Sequence, residues 1–454
     1  MTSVSTPSTA DVREPFPDKG WLERCLSPIA DVRRGEAASA LLMTLTMFTL
    51  LGGHYLLKTA REIFILTEGG AAVKSYASAG QALMLLVLVP AYSAFAKRVN
   101  RMQLVQWVTL FFGANLLLFL LALSVGMRIG IAFFLWLGIF NVMVIAQFWA
   151  FAADLFTEEQ GKRLFPLIGV GSSLGAWVGS VRAGQLMDVG PWRLLAGGAG
   201  CLVACVVFAR IADRLTGRAA PTRSRDAEQK VAGGSSAFKM VLTDRYLLLI
   251  AALVILLNVV NTSGEYLFSR YIVSTAETMY GAGAQSEAAR QQFVGETYSS
   301  YFSAISLIGF LLQVFVVSRV FKFLGVGRSL FVHPIVALVS YAMMLKAPSF
   351  EAIRILKIAD NSIAYSLSNT TMQALWLPTS REVKYNAKQV VDSFCARAGD
   401  VLQAGVVYSG QLAELSISGF AALNVLFACG WLAVAFGLRQ KLQRMTRGAG
   451  AAEF

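Results

Sequence analysis

Charge is scarce in this chain. Only 15% of its 454 residues are Asp, Glu, Lys or Arg, against 56% hydrophobic, and mean hydropathy is +0.58. Soluble domains carry about 25% charged residues, so this is not the composition of a soluble domain. Cysteine is sparse and unpatterned. Of the five, Cys201 and Cys205 share a helix face inside an apolar run, while Cys25, Cys395 and Cys429 stand alone. Neither a disulfide framework nor a metal spacing is present. No Gly-Lys-Ser/Thr follows a strand, so there is no P-loop. No nucleophile triad or metal constellation appears either, and the expectation is a non-enzyme with no cofactor. Residues 1–36 hold no apolar core ahead of a small-residue cleavage site, so no cleavable leader is expected.

What the chain has instead is apolar length. Runs of about twenty apolar residues, enough to cross a bilayer as a helix, recur along most of it. They predict spans near 37–60, 70–96, 102–125, 129–155, 162–187, 192–212, 244–272, 295–319, 323–345, 350–377, 384–411 and 417–438. The stretch between the sixth and seventh spans is rich in Arg, Ser, Gly and Ala without an apolar stripe, and reads as a flexible loop. The expected organisation is an arm at 1–36, a six-helix bundle at 37–212, a central loop at 213–243, a second six-helix bundle at 244–438 and a tail at 439–454. The fold class is thus an all-α polytopic membrane protein with twelve transmembrane helices.

The net charge of +13 follows the same topology. With the N-terminus placed in the cytoplasm, 28 of the 40 basic residues fall on cytoplasmic segments, as the positive-inside rule requires. Both termini are expected to be cytoplasmic, in a bacterial inner membrane. The central loop is too short and flexible for a nucleic-acid-binding domain, so lipid bilayer and a small molecule are the expected partners, with the protein a monomer. The halves echo each other. The basic turn AFAKRVNRMQL after span 2 matches VSRVFKFLGVGRSL after span 8, and FAADLFTEEQGKRL after span 4 matches ALWLPTSREVKYNAK after span 10. Parallel six-helix repeats about an axis along the membrane normal are the major-facilitator arrangement, with substrate bound near the midplane between halves.

Polar residues inside a bilayer usually face the bundle interior. They concentrate in spans 1, 4, 7 and 10, which line the cavity in that arrangement. Span 1 has His54, Lys58, Arg61 and Glu62 near its outer end, where Lys58 and Glu62 are spaced to pair locally. Span 4 has Asn141, Gln147 and Asp154. Span 7 has Asn258, Asn261, Thr262 and Glu265. In span 10, Lys357 and Asp360 precede Asn361, Tyr365, Asn369 and Gln373, which recur every fourth residue and form one polar face. Gly171, Gly175 and Gly179 on span 5 are a small-residue stripe for close helix approach.

Three blocks carry a family resemblance: FWAFAADLFTEEQGKRLFPLIGVG (148–171), LLKTAREIFILTEGGA (56–71) and the YSL, LWLP and VKYNAKQVVD segments within 365–392. They resemble the nucleotide transporter family, the ATP/ADP translocases of plastids and intracellular bacteria with free-living relatives. The resemblance implies a major-facilitator-like carrier that exchanges nucleotides. It places Arg61 and Lys388 at basic positions and Asp154 at an acidic one. Met372 and Gln373 stand where the family has a Lys–Glu pair, and Asp400 where it has Lys; polyanions need basic partners.

The expected function is a secondary transporter for a nucleotide or other phosphorylated anion, working by alternating access. Its substrate residues would be Lys58, Arg61, Asp154, Glu265, Lys357, Asp360, Tyr365, Asn369, Arg397 and Asp400. Glu158, Glu159, Lys162 and Arg163 in one elbow would form an inner gate with Arg381, Lys384 and Lys388 in the other. The alternative is a proton-coupled transporter of another small polar or anionic solute, with Asp154, Glu265, Asp360 and Asp400 as proton carriers.

Overall fold

The computed structural model describes Trp21 and residues 31–33, 35–96, 101–216, 234–346 and 349–450. Among them every regular element is helical. The first half comprises α1 (Ala37–Glu68), α2 (Gly70–Ala96), α3 (Arg101–Ser124), α4 (Gly130–Leu155), α5 (Glu158–Leu186) and α6 (Trp192–Thr216). The second begins with α7 (Arg245–Tyr280) and α8 (Glu287–Phe315). α9 is bent: Val317–Ser329 breaks at Gly325, where φ is +69°, and lies at 77° to Val332–Met344. α10 runs from Phe350–Ile363 through a π turn at Ala364–Ser368 into Asn369–Ala374. α11 joins Arg381–Val390 to Ala396–Leu412 through a second π turn, Val391–Cys395, and α12 is Ile417–Gly450.

Among the described residues, nine helices are long and apolar enough to cross a membrane, ten if the bent α9 counts as one. The expected twelve are not reached by that criterion. α10 and α11 fall short because a π turn splits each into shorter pieces rich in charged and amide side chains. Three span limits also shift outward. α1 continues to Glu68 because Ile63, Phe64, Ile65 and Leu66 are buried there, which puts Lys58, Arg61 and Glu62 inside the helix rather than at its end. The polar stretch after span 7 is helix as well, carrying α7 to Tyr280 and starting α8 at Glu287. Within the expected central loop, Gly234–Thr243 is a short helix packed on α11, with Phe238 4.9 Å from Phe394. Residues 217–233, Lys97 and Arg98 lie outside the described residues.

The helix ends carry side-chain caps. Thr157 and Gln160 form a reciprocal capping box at the start of α5. Asp244 receives the N–H groups of Tyr246 and Leu247 at 2.7 and 3.0 Å to begin α7. Glu68, at the end of α1, accepts from Gly130 at 2.7 Å and Ile129 at 3.2 Å, so a carboxylate sits on the exposed amides of α4.

The glycine stripe of α5 makes the close helix approach its spacing predicts, and the partner is α1. A Cβ on Gly175 would overlap the Phe48 carbonyl, and one on Gly179 would overlap that of Gly52. Lipid offers no hydrophobic drive between helices, so such close packing is what holds them.

The halves meet at the end of the bundle remote from the start of α1, here the far end. Ser299 donates to the Ser180 carbonyl at 2.6 Å, Tyr76 to Gln411 at 2.6 Å and Gln403 to Ser75 at 3.3 Å. Met187 packs on Gly295 in the same region. At the opposite end the described elbow contacts stay within one half: Arg163 of α5 pairs with Glu36 before α1, and Lys388 of α11 donates to Gln373 of α10.

Gly175→Val forces a side chain into backbone. It is expected to lower stability by about 1–3 kcal/mol, the usual cost of overpacking. Thermal unfolding in detergent checks this, with Gly80→Val, at a position open to space, as the control.

Candidate functional site

A cavity of about 180 Å³ lies between the halves, below the far-end seam. α1 contributes Tyr55, Lys58, Arg61 and Glu62; α2 contributes Lys74, Ser75, Ser78 and Gln81; α7 contributes Asn261, Thr262, Glu265 and Tyr266. Phe134 of α4, Phe302 and Ile305 of α8, Asn361 and Tyr365 of α10 and Gln403 of α11 complete it.

Its charges form one network. Glu62, almost fully buried, pairs with its neighbour Arg61 and with Lys74 Nζ at 2.7 Å. Lys74 also reaches across to the second half. It donates to Ser269 Oγ at 2.9 Å and Tyr298 Oη at 3.3 Å, and lies 3.8 Å from Glu265. The other oxygen of Glu265 accepts from Tyr301 at 2.9 Å and from Asn361 at 2.7 Å. A buried ion pair survives only when its remaining lone pairs are satisfied like this.

Lys58 differs. Among the described residues it has no carboxylate within ion-pair distance. Its ammonium lies 4.2 Å from the Phe302 ring centre and 5.0 Å from that of Tyr55. Cation–π contacts give about 0.5–2 kcal/mol and leave the charge uncompensated. Arg61 lies over Phe134 at 4.6 Å while it holds Glu62. The local Lys58–Glu62 pair expected from spacing does not form, because Glu62 faces α2 and Lys58 faces α8.

Behind the α7–α10 wall is a second cluster. Fully buried Lys357 pairs with Asp360 at 2.9 Å, and Asp360 also meets His333 and Tyr341, each at 3.3 Å. Gly264 makes room for it: a Cβ there would overlap Tyr341 Oη and crowd Lys357 Nζ.

Of the residues singled out in the sequence, Lys58, Arg61, Glu265 and Tyr365 line the cavity; Lys357 and Asp360 sit behind it. Arg397 and Asp400 pair with each other at 3.5 Å on α11, a turn from Gln403. Asn369 is exposed, and Gln373 accepts from Lys388 at 2.6 Å. The polar face of α10 therefore splits: Asn361 and Tyr365 line the cavity, and Asn369 and Gln373 do not. The π turn between them, with its i→i+5 bonding, breaks the fourfold spacing. α4 supplies only Phe134, while Asp154 is exposed twenty residues on, about 30 Å along the helix. Gln147 borders a separate apolar pocket.

The expected gate residues whose partners are described bind within their own half. Glu159 binds Arg33 at 2.7 Å, and Arg163 holds both oxygens of Glu36 at 2.9 and 3.0 Å. Lys162 borders a shallow pocket with Phe156 and Phe165. The side chains of Glu158, Arg381 and Lys384 lie outside the described residues. Burial raises the Glu36 carboxyl, but hydrogen bonds from Arg163, Arg33 and Gln160 outweigh it and hold the group below the ordinary carboxylate value.

Lys74, Ser75 and Gln403 were not singled out from the sequence. A lysine inside an apolar run was a usable signal for Lys74. Ser75 and Gln403 carried none.

These features define a multi-pass helical membrane protein with the major-facilitator fold. The chain matches a mutant of the nucleoside transporter NupG with TM-score 0.64 and 14% identity, over 88% of this chain and 98% of that one. It matches a bacterial homologue of the iron transporter ferroportin, in an inward-facing state, with TM-score 0.62 and 11% identity over 88% and 98%. No protein-family model matches the chain. In sequence it is similar to ADP,ATP carrier protein 1 of Chlamydia muridarum, 24% identical over 365 residues, 69% of this chain and 64% of that protein. ADP,ATP carrier protein 1 of Chlamydia trachomatis serovar D is 23% identical over 366 residues, with the same coverage. The chain thus spans 64% of the length of the curated relatives it matches.

Lys74→Met leaves Glu62 and Glu265 facing each other without their shared cation. Breaking a buried pair costs about 3–5 kcal/mol, so the far-end seam is expected to open. A Ser299→Cys reporter, with the five native cysteines replaced, should then react faster with an impermeant maleimide. Unchanged labelling would show that Lys74 does not hold the seam.

Because Glu36 is depressed in the folded state, its contribution is present above the ordinary value of about 4.5 and is lost as pH falls through the lower, folded value. Proteolysis at the start of α1 should therefore rise on acidification below about pH 4.5. Arg163→Gln should make cleavage fast, and less dependent on pH, already at neutrality.

Proposed function

We propose that the protein is a secondary carrier for an anionic solute of the nucleotide class, working by alternating access. The observation that carries this reading is Lys58: a cation without a carboxylate partner among the described residues, in a cavity between two half-bundles closed at one end. An uncompensated charge away from bulk water is costly, and an anionic cargo would remove that cost. Arg61 lies one turn along the same helix, and aromatic rings flank both cations, as a planar base requires. The similarity to ADP,ATP carriers supports the nucleotide class. Rocking of the halves about the cavity would break the Lys74 contacts to Glu265, Ser269 and Tyr298 and expose the site at the far end. The bacterial inner membrane, with both termini cytoplasmic, is the location this reading takes.

A proton-coupled carrier is the second reading. It is favoured by the buried Asp360, His333, Lys357 and Tyr341 cluster directly behind Glu265. Uptake driven by an imposed pH gradient without internal counter-substrate would support it.

The exchange reading is tested with the purified full chain in liposomes. Internal unlabelled nucleotide should drive uptake of labelled nucleotide, and Lys58→Ala should slow it about 10- to 100-fold, the effect of losing a hydrogen bond to a charged group. Liposomes that exchange no nucleotide of any kind would refute it.

A further inference from the structure

The charge on the cavity wall does not suit a polyphosphate. The lining contains three cations, Lys58, Arg61 and Lys74, and two carboxylates, Glu62 and Glu265. Glu62 is shared by Arg61 and Lys74, and Glu265 lies on the other side of Lys74. Just outside the wall Lys357 pairs with Asp360 and Arg397 with Asp400, while Arg270, one turn beyond Tyr266, donates to the Leu415 carbonyl at 3.2 Å. On the wall one positive charge is left over, and by geometry it is that of Lys58. The rest of the polar lining is neutral, Ser75, Ser78, Gln81, Asn261, Thr262 and Gln403 among it. These side chains can hydrogen-bond hydroxyl or amide groups but compensate no further anion. Size ranks the nucleotides the same way, since the cavity, at about 180 Å³, is below the roughly 300–1,000 Å³ of pockets that enclose drug-sized ligands and each phosphoryl group adds bulk.

We infer that the cargo is a compact solute with one anionic group, seated on Lys58 between the Phe302 and Tyr55 rings, with a neutral polar body on the α2 and α7 walls. This rests on the carrier reading above and narrows its substrate: among nucleotides the monophosphate, whose single phosphoryl group carries about −1.5 to −2, exceeds the surplus charge least. Each added phosphoryl group would bring charge that the wall cannot match without taking Arg61 or Lys74 from Glu62.

The test uses the purified full chain with adenosine, AMP, ADP and ATP as probes. Binding is read by thermal shift and exchange by liposome uptake. AMP should bind about tenfold or more tighter than ATP, and tighter than adenosine, with Lys58→Gln abolishing the advantage over adenosine. Ser78→Lys, which adds a cation to the same wall, should move the preference toward ADP and ATP. The variant covers the case in which Lys58→Gln fails to fold. ADP or ATP binding as tightly as AMP would overturn this inference while leaving the carrier reading intact. So would AMP binding no tighter than adenosine, or not binding. AMP binding without exchange of any nucleotide would instead refute the carrier reading and support the single-anion site.

Discussion

The ammonium of Lys74 is shared by carboxylates from both halves, 2.7 Å from Glu62 and 3.8 Å from Glu265. In a bundle that excludes water, neither acid can be left bare, because an unpaired buried charge costs several kcal/mol. The cation therefore has to stay at the seam for as long as the halves are together there. Much of the site follows from this. Tyr298 and Ser269 complete the ammonium's donors, Tyr301 and Asn361 complete the acceptors of Glu265, and Arg61 is drawn onto Glu62. Lys58 is what remains after those partners are assigned.

The same economy explains the departures from regular helix. Gly264 has no side chain because Tyr341 and Lys357 occupy the space it would fill. α10 takes a π turn where it passes the cavity, and Tyr365, which lines the cavity and is 58% exposed, lies on that turn. A π turn sacrifices regular bonding, and such turns recur at functional sites. α5 and α1, by contrast, are joined by glycine against carbonyl, with no polar side chain needed, and give the first half a rigid spine.

Much of the architecture was legible along the chain. Apolar length located most of the helices, and the glycine spacing on α5 predicted a close helix approach, which α1 makes. The reading of the site was less complete for physical reasons. Spacing placed Lys58 and Glu62 on one face of α1, but whether they pair depends on which neighbouring helix each faces. Helix-wise polarity assigned α4 to the cavity, yet its polar residues lie along the length of the helix while the closed cavity reaches only Phe134 near its start. The limit of α1 was drawn short because Arg61 and Glu62 were read as its end, when they are paired inside it, whereas α7 and α8 extend as largely exposed polar helix.

Lysine, arginine, glutamate and amide side chains inside apolar spans were determined by the sequence alone, and so was the need for each to find a partner or a cavity. That need is local: it follows from the cost of polarity in a medium without water. Which partner each found was decided only by the tertiary structure, since Lys74 and Glu265 lie on helices of different halves and meet only when the bundles close. Tertiary structure also decided that Lys58 would be left over. A charge is surplus only by comparison with every other charge in the same cavity, and those residues are scattered from Tyr55 to Gln403.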